Sequence, residues 1–283
     1  MDILHLVHAI AEPFTLPFMQ RALWVGLGIA VVCGLLSCFL VHLGWSLIGD
    51  GVSHAVLPGV VLAYALGLPF AVGALIFALI AVGLIGGLRR LPVMKEDASI
   101  GIVFTTLFSL GLVLISITPS SIDLGHILFG NLLGIADSEI VQVALIGLVV
   151  LVVLAIRWRD FRLMAFDSAH AGAIGLRVGL LSGLMLALLA LTVTAGLQAV
   201  GVILVVAMLI TPGAAAAHLT HSFARMAAVA ASISALSVLV GLEASFHLDV
   251  SPAGTIVLVQ GVVFALCAIF GQRGVIARLR YSG

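Results

Sequence analysis

The chain has 283 residues, of which 63% are hydrophobic and only 8% are Asp, Glu, Lys or Arg, with a formal net charge of +0. Soluble domains carry about a quarter charged residues, so this chain lacks the polar surface that a water-facing globule needs. The composition excludes an ordinary soluble enzyme, a disordered regulator and a nucleic-acid-binding protein, which would need a basic face. It predicts an all-α protein that crosses a membrane many times, as a single transmembrane domain over residues 1–283.

The apolar runs predict a bundle of eight or nine membrane-spanning helices. Such a helix needs about 20 apolar residues, because each residue advances it by about 1.5 Å and the hydrocarbon core is about 30 Å thick. The shortest junctions between runs fall at Gly67-Leu68-Pro69 and at Leu197-Gln198. The runs cover residues 22–41, 46–67, 70–88, 99–118, 139–156, 179–198, 200–217, 226–242 and 253–272.

Basic residues predict the orientation of the spans, since Lys and Arg are enriched in cytoplasmic loops. Counting the spans places four basic groups on one side, with Arg21 as the exception. The opposite loops, 119–138 and 243–252, contain acidic residues and no Lys or Arg. The four groups are Arg89, Arg90 and Lys95; Arg157, Arg159, Arg162 and Arg177; Arg225; and Arg273, Arg278 and Arg280.

Small residues recur at helical spacing, as in Gly130-x-x-x-Gly134 and Gly179-x-x-x-Gly183. In lipid there is no hydrophobic driving force between helices, so small residues favour association by letting backbones approach closely. We expect both pairs to pack inside the bundle.

An acid lies inside the second apolar run, in the segment Gly49-Asp50-Gly51-Val52-Ser53-His54-Ala55-Val56-Leu57-Pro58-Gly59. A charge within a membrane is costly unless it is paired or hydrated, so Asp50 indicates a functional site. His54 follows four residues later, which places both side chains on one helical face. A carboxylate and an imidazole suit Mn, Fe or Zn, and the glycines and proline predict an irregular helix.

Other functions remain open for this Asp–His pair. It could stabilise helix packing or carry protons, and in a secondary transporter Asp50 would be a proton or sodium site. An intramembrane metalloprotease would need a His-Glu-x-x-His motif, which is absent.

The case for metal contact is weaker for the other histidines. His126, three residues after Asp123, could meet an incoming cation, and so could His247 beside Glu243 and Asp249, whereas His218 and His221 flank an inner turn.

The loop 157–178 contains a second unusual segment. Residues 166–175 predict a short helix with Asp167 as its N-cap and Gly175 near its end. Asp167, Ala171 and Gly175 are spaced to share one face, which could contact another protein or belong to a plain connector. The chain has no G-x-x-x-x-G-K-[ST] phosphate loop, so it does not bind ATP by that route.

Taken together, these segments resemble the membrane permease subunit of the bacterial ABC importers for manganese, iron and zinc, the metal ABC-3 family. The similarity extends from about Phe18 to Gly271 and is most specific at residues 49–59, which match a GD-x-[IL]-[SA]-HA-x-LPG segment. The segments 95–102 and 126–131 resemble the manganese/iron branch more than the zinc branch. One departure is visible: two Arg are common in the family before this segment, where the chain has Val41-His42-Leu43-Gly44-Trp45-Ser46.

The resemblance implies a transport subunit in the bacterial inner membrane that is not itself an enzyme. Asp50 and His54 would coordinate transported Mn²⁺, Fe²⁺ or Zn²⁺ at the interface of a homodimer or heterodimer of permease chains, with no permanently bound cofactor. Asp123 and His126 would lie on the metal pathway. Asp167, Ala171 and Gly175 would belong to the coupling helix that seats in a cytoplasmic ABC ATPase, and an extracytoplasmic binding protein would deliver the metal.

Overall fold

A computed structural model of the chain describes residues 12–89, 91–93, 95–118, 130, 132–272 and 274. Helices form nearly all of the regular structure in these ranges, which contain no β-strand. Twelve α-helices follow one another along the described part of the chain. They are α1 (Pro17–Leu43), α2 (Ser46–Ala55), α3 (Leu57–Ala65), α4 (Phe70–Leu88), α5 (Glu96–Ile117), α6 (Asp137–Ile156), α7 (Trp158–Phe166), α8 (Ser168–Ala173), α9 (Val178–Val200), α10 (Val202–Leu219), α11 (Phe223–Leu248) and α12 (Pro252–Phe270).

Nine segments of the described chain are long and apolar enough to cross a membrane, with α2 and α3 together forming the second. This confirms the predicted bundle and the upper of the two predicted counts. The junction expected at residues 197–198 instead lies at Gly201, between α9 and α10. Gly201 has φ +84°, a conformation that residues with a side chain rarely adopt, so the helix continues until it reaches a glycine.

The second span is broken between α2 and α3, as its glycines and proline predicted. Pro58 lies in the first turn of α3, where its missing N–H costs least. One residue later, Gly59 packs directly on Gly73 of α4, and a Cβ on either glycine would overlap the backbone of the other. The break therefore leaves two short helices, and α3 is held in backbone contact with α4.

The core forms where α1 packs against α10 and α11, and where α2 packs against α5 and α10. Phe39 and Leu36 of α1 are fully buried. By contrast, α4, α5, α6 and α12 expose large apolar side chains along their length, among them Ile76, Val113 and Leu148. Such surfaces are expected where helices face lipid, and the more buried spans are α1, the second span, α9 and α10.

The small-residue pairs behave differently from one another. Gly130, with φ +67°, packs on the backbone of Val200 and Gly201, as close packing requires. A Cβ on Gly179 or Gly183 would meet no atom within 4 Å. The prediction that Gly179 and Gly183 pack inside the bundle is therefore wrong for the single chain, because α9 turns that face towards open space.

Aromatic contacts bring the basic loops to one end of the bundle. Phe39, near the end of α1, packs edge-on against Trp158 at 5.2 Å and Phe223 at 4.9 Å between ring centroids, joining the starts of α7 and α11. The guanidinium of Arg89 lies 5.4 Å from the ring centroid of Trp45, which precedes α2. This arrangement agrees with the prediction that the basic loops share one side of the membrane. Arg89 also brings a positive charge to residues 41–46, where the chain has no Arg.

Arg21, the exception in the charge pattern, forms an ion pair at the other end of the bundle. Its Nη1 lies 3.0 Å from Oδ1 of Asp137, at the start of α6, and both side chains are exposed. The pair joins α1 to α6 and neutralises the one basic residue that departs from the orientation rule.

Candidate metal site

Asp50 and His54 lie one turn apart on α2 and contact each other. His54 Nδ1 is 3.3 Å from Oδ1 of Asp50 and 3.1 Å from the Asp50 backbone carbonyl oxygen. Both partners are acceptors, so the arrangement favours the tautomer that carries the proton on Nδ1. The prediction that the two side chains lie on one helical face, one turn apart, is confirmed.

The separation of these donors is compatible with binding one metal ion. Two ligand atoms at about 2.1 Å from a metal lie roughly 3.0–3.4 Å apart at coordination angles between about 90° and 109°. An ion that replaced the Nδ1 proton would therefore be held by Asp50 Oδ1 and His54 Nδ1 without a change in the helix.

Neighbouring helices shape the surroundings of this pair. The imidazole of His54 lies edge-on to Phe104 at 5.2 Å and to Phe108 at 5.9 Å between ring centroids, both on α5. At Gly51 a Cβ would lie 2.7 Å from a methyl group of Ile100, so only glycine lets α2 approach α5 this closely. The aromatic wall fixes the imidazole from one side and limits the water that reaches it.

The pair lies on the open side of an otherwise buried helix. Ile48 and Val52 of α2 are fully buried, whereas 41% of the Asp50 side chain and 24% of the His54 side chain are exposed. Within the described ranges no three His, Cys, Asp or Glu side chains group closely enough to hold a metal. The described part of the chain thus offers two candidate ligands at this position.

A large crevice on the bundle surface lies away from the pair. Its volume is about 370 Å³, and its lining comes from α1, α6 and α9, including Trp24, Gly28 and Gly147. Thr192 provides the one hydroxyl among these lining side chains. An apolar crevice of this kind offers a cation no ligand, so it is not a metal route.

Asp123 and His126, predicted on the metal pathway, lie outside the described residues. Their role stays a prediction. His218 is described and packs edge-on against Phe264, at 5.9 Å between ring centroids. His221 lines a cleft with Arg225 at the end of the bundle that carries the basic loops.

The predicted coupling segment forms the short helix α8, and its N-cap is confirmed. Asp167 Oδ1 accepts a hydrogen bond of 2.8 Å from the backbone N–H of His170. Gly175 follows the helix with φ +91°. The expectation that Asp167, Ala171 and Gly175 line one face of this helix is wrong, because α8 ends at Ala173, before Gly175. Ala171 is fully buried within the chain, and a contact of this segment with another protein stays a prediction.

Sequence reasoning missed the helix that precedes this segment. In α7, Phe161 and Met164 are buried three residues apart, while Arg159 and Arg162 are exposed. This amphipathic spacing was available in the sequence, next to the end of the fifth span. Helices α7 and α8 together present the loop 157–178 at the end of the bundle with the basic loops.

Two solved structures have a fold similar to that of this chain. The chain superposes on PsaBC from Streptococcus pneumoniae, solved in complex with Fab, with a TM-score of 0.87 and 33% sequence identity, covering 97% of this chain and 99% of that one. A second structure is described as an inward-facing conformation of a putative metal-chelate type ABC transporter. It matches with a TM-score of 0.68 and 18% identity over 94% of this chain and 89% of that one, which supports the fold alone.

Curated relatives match over nearly the whole chain. The manganese transport system membrane protein MntB of Synechocystis is 45% identical over 96% of this chain and 89% of its own length. The chelated iron transport system membrane protein YfeD of Yersinia pestis is 46% identical over 93% of this chain and 89% of its own length. The family model of the ABC 3 transport family matches residues 15–271. With its nine apolar segments and these matches, the chain belongs to the ABC 3 transport family and is a multi-pass membrane permease subunit of an ABC transporter.

Proposed function

We propose that the chain moves a divalent transition metal ion, Mn²⁺ or Fe²⁺, across the bacterial inner membrane, and that Asp50 and His54 bind the ion on its way. The observation that carries this proposal is the contact between their side chains on the open side of α2. Manganese and iron are favoured over zinc because the relatives MntB and YfeD are named for manganese and chelated iron transport. A zinc importer of the same family is the second candidate, since zinc accepts the same ligands.

The metal site needs a second permease chain. In an isologous dimer a patch on one protomer meets the same patch on its partner, so two Asp–His pairs would supply four ligands. The absence of a third metal-binding side chain near the pair, within the described ranges, and the exposure of Asp50 both favour such a shared site. The partner would be a second copy or a close paralogue.

A shared site also suggests how the ion could be released. Two ligands from one chain bind a transition metal weakly, whereas four hold it firmly. A movement that separated the Asp–His pairs of the two protomers would leave the ion with two protein ligands, and water would replace the others.

ATP binding and hydrolysis would occur in partner ATPase subunits that contact α7 and α8, and an extracytoplasmic binding protein would bring the metal. The chain itself would hold metal only as cargo.

Metal uptake by cells that express single-site variants tests the proposal. Asp50→Ala and His54→Ala each remove one of the two ligands, so we expect accumulation of manganese or iron to fall at least about tenfold. Asp137→Asn is the matched control, because it removes a carboxylate charge at an exposed ion pair and should leave uptake near the parental level. Parental uptake by both ligand variants, at equal protein level in the membrane, would contradict the assignment.

A reconstitution test separates the ATP-driven importer from an ion-coupled transporter. The complete importer should accumulate metal in vesicles only when ATP is present. Uptake by this chain alone in liposomes, driven by a proton or sodium gradient, would reject the ATP-driven mechanism.

A further inference from the structure

A second acid–imidazole pair lies at the end of α11. Glu243 and His247 repeat the four-residue spacing of Asp50 and His54, on a different span. We propose that Glu243 and His247 form a second binding site for a divalent transition metal ion, at the outer surface. Metal binding there stands independently of the proposed function, whereas a role in uptake rests on it.

The geometry of this pair suits a chelated ion. His247 Nε2 lies 3.0 Å from Glu243 Oε1. Two ligands at about 2.1 Å from one metal and at about 90° to each other are about 3.0 Å apart. Nε2 and a carboxylate oxygen therefore already have the separation that octahedral coordination requires.

One of the two oxygens of the Glu243 carboxylate has no partner within the described structure. Its side chain is 20% exposed, and its buried Oε2 has no hydrogen-bond partner among the described residues. Residues 243–252, which include the pair and the turn after α11, contain no Lys or Arg. A buried carboxylate oxygen that makes no hydrogen bond is destabilising, and a bound cation removes that cost.

The backbone around the pair is fixed by packing. Gly241 lies in direct contact with Ile256 of α12, where a Cβ would be 2.6 Å from the Ile256 Cα. Ser245 Oγ donates to the carbonyl oxygen of Val250 at 2.5 Å, which ties the end of α11 to the turn after it. Ligands on such a rigid helix end bind an ion without the entropic cost of ordering a loop.

The position of the pair indicates its use. It lies at the end of α11 opposite the basic loops, in the predicted outer region. An ion that leaves an extracytoplasmic binding protein would meet Glu243 and His247 outside the membrane, before it reaches Asp50 and His54. The outer pair would raise the local metal concentration, so it should matter most when metal is scarce.

Zinc binding to the purified full-length chain in nanodiscs tests the site directly. Zn²⁺ is the probe because it binds nitrogen and oxygen ligands more tightly than Mn²⁺. The test uses a chain with Asp50→Asn and His54→Ala, which lacks the inner pair. In that background we expect Glu243→Gln and His247→Gln each to remove one bound equivalent of Zn²⁺ in equilibrium dialysis, or to weaken its binding at least tenfold.

Asp249→Asn provides the matched control. Asp249 carries the same charge close to the pair, and its left-handed φ of 51° is one that asparagine tolerates. This variant should leave Zn²⁺ binding unchanged, because it removes charge without removing a ligand. Equal zinc binding by the background chain and by its Glu243→Gln form would overturn the site, as would an equal loss in Asp249→Asn.

Metal uptake by the otherwise wild-type chain tests the role in transport. Glu243→Gln should raise the metal concentration for half-maximal uptake several-fold and leave the maximal rate within twofold. A loss confined to the maximal rate would overturn the capture role. The two proposals can fail separately. If Asp50 and His54 do not bind the transported ion, Asp50→Ala will transport metal normally, whatever the effect of Glu243→Gln on uptake.

Discussion

At the residue scale, the position of the Asp50 carboxylate matters as much as its charge. Its Oδ1 is 3.3 Å from His54 Nδ1, and the imidazole is held against Phe104 and Phe108. A ligand pair with one member fixed by packing tolerates little displacement of the other. The site should therefore distinguish the two acidic amino acids.

Asp50→Glu tests this requirement. The substitution keeps the charge and moves the carboxylate by about one C–C bond length, about 1.5 Å. We expect metal uptake to fall at least about tenfold with unchanged protein level, because the two ligands no longer converge on one ion. Asp137→Glu, at an exposed ion pair, should have no effect in the same uptake assay. Parental uptake by Asp50→Glu would show that only negative charge is needed.

A second prediction at this scale concerns the N-cap of α8. Asp167→Ala removes the acceptor for the His170 N–H and should destabilise α8 by about 1 kcal/mol, or about fivefold in its local folding equilibrium. Hydrogen exchange of residues 166–176 should accelerate accordingly. Asp167→Asn keeps a capping oxygen, so it should exchange like the parent. Equal acceleration in both variants would mean that the charge, rather than the cap, orders the segment.

At the scale of elements, the crossing of α3 and α4 depends on two glycines. Gly73 of α4 lies against the backbone of Gly59 and close to Ala63, whereas Gly83, on the same helix, has no atom within 4 Å of its Cβ position. Substitutions at the two positions can therefore be compared to separate the effect of packing from the effect of helix propensity. Because alanine favours a helix over glycine by about 1 kcal/mol, any loss at Gly73 must come from packing.

Gly73→Ala should lower the thermal unfolding temperature of the purified chain, because the added methyl group forces α3 and α4 apart. Overpacking of this kind costs about 1–3 kcal/mol. Gly83→Ala should leave the unfolding temperature unchanged or raise it. Equal unfolding temperatures for the two variants would show that α3 and α4 do not depend on close packing at Gly73.

The elements show which features local sequence predicts. Apolar run length predicts the spans, and the four-residue spacing of Asp50 and His54 predicts their contact, because both depend on neighbours along one helix. The cap at Asp167 is local for the same reason. The burial of Ala171, the open face at Gly179 and the aromatic wall at Phe104 depend on distant segments. A single sequence does not specify which distant residues come together.

At the scale of the whole molecule, the chain is half of the proposed inner metal site. Two ligands per chain mean that an ion bound by four would bridge two chains and would bind the dimer in preference to the monomer. Any ligand that binds one state alone stabilises that state by mass action. Metal binding and dimerisation should therefore be linked at the inner pair, whereas the outer pair, which the proposal places within one chain with water as its remaining ligands, should not contribute.

This linkage gives a quantitative prediction for the purified chain in detergent. At a metal concentration of about 100 times the dissociation constant, dimer formation should strengthen by about 2.7 kcal/mol, or about a hundredfold in the dissociation constant of the dimer. Sedimentation with and without Zn²⁺ measures this change. Glu243→Gln should show the full shift, because it keeps the bridging ligands, and His54→Ala should show none. A dimer that is equally stable with and without Zn²⁺ would remove the argument for a shared site and require the remaining ligands to come from within each chain.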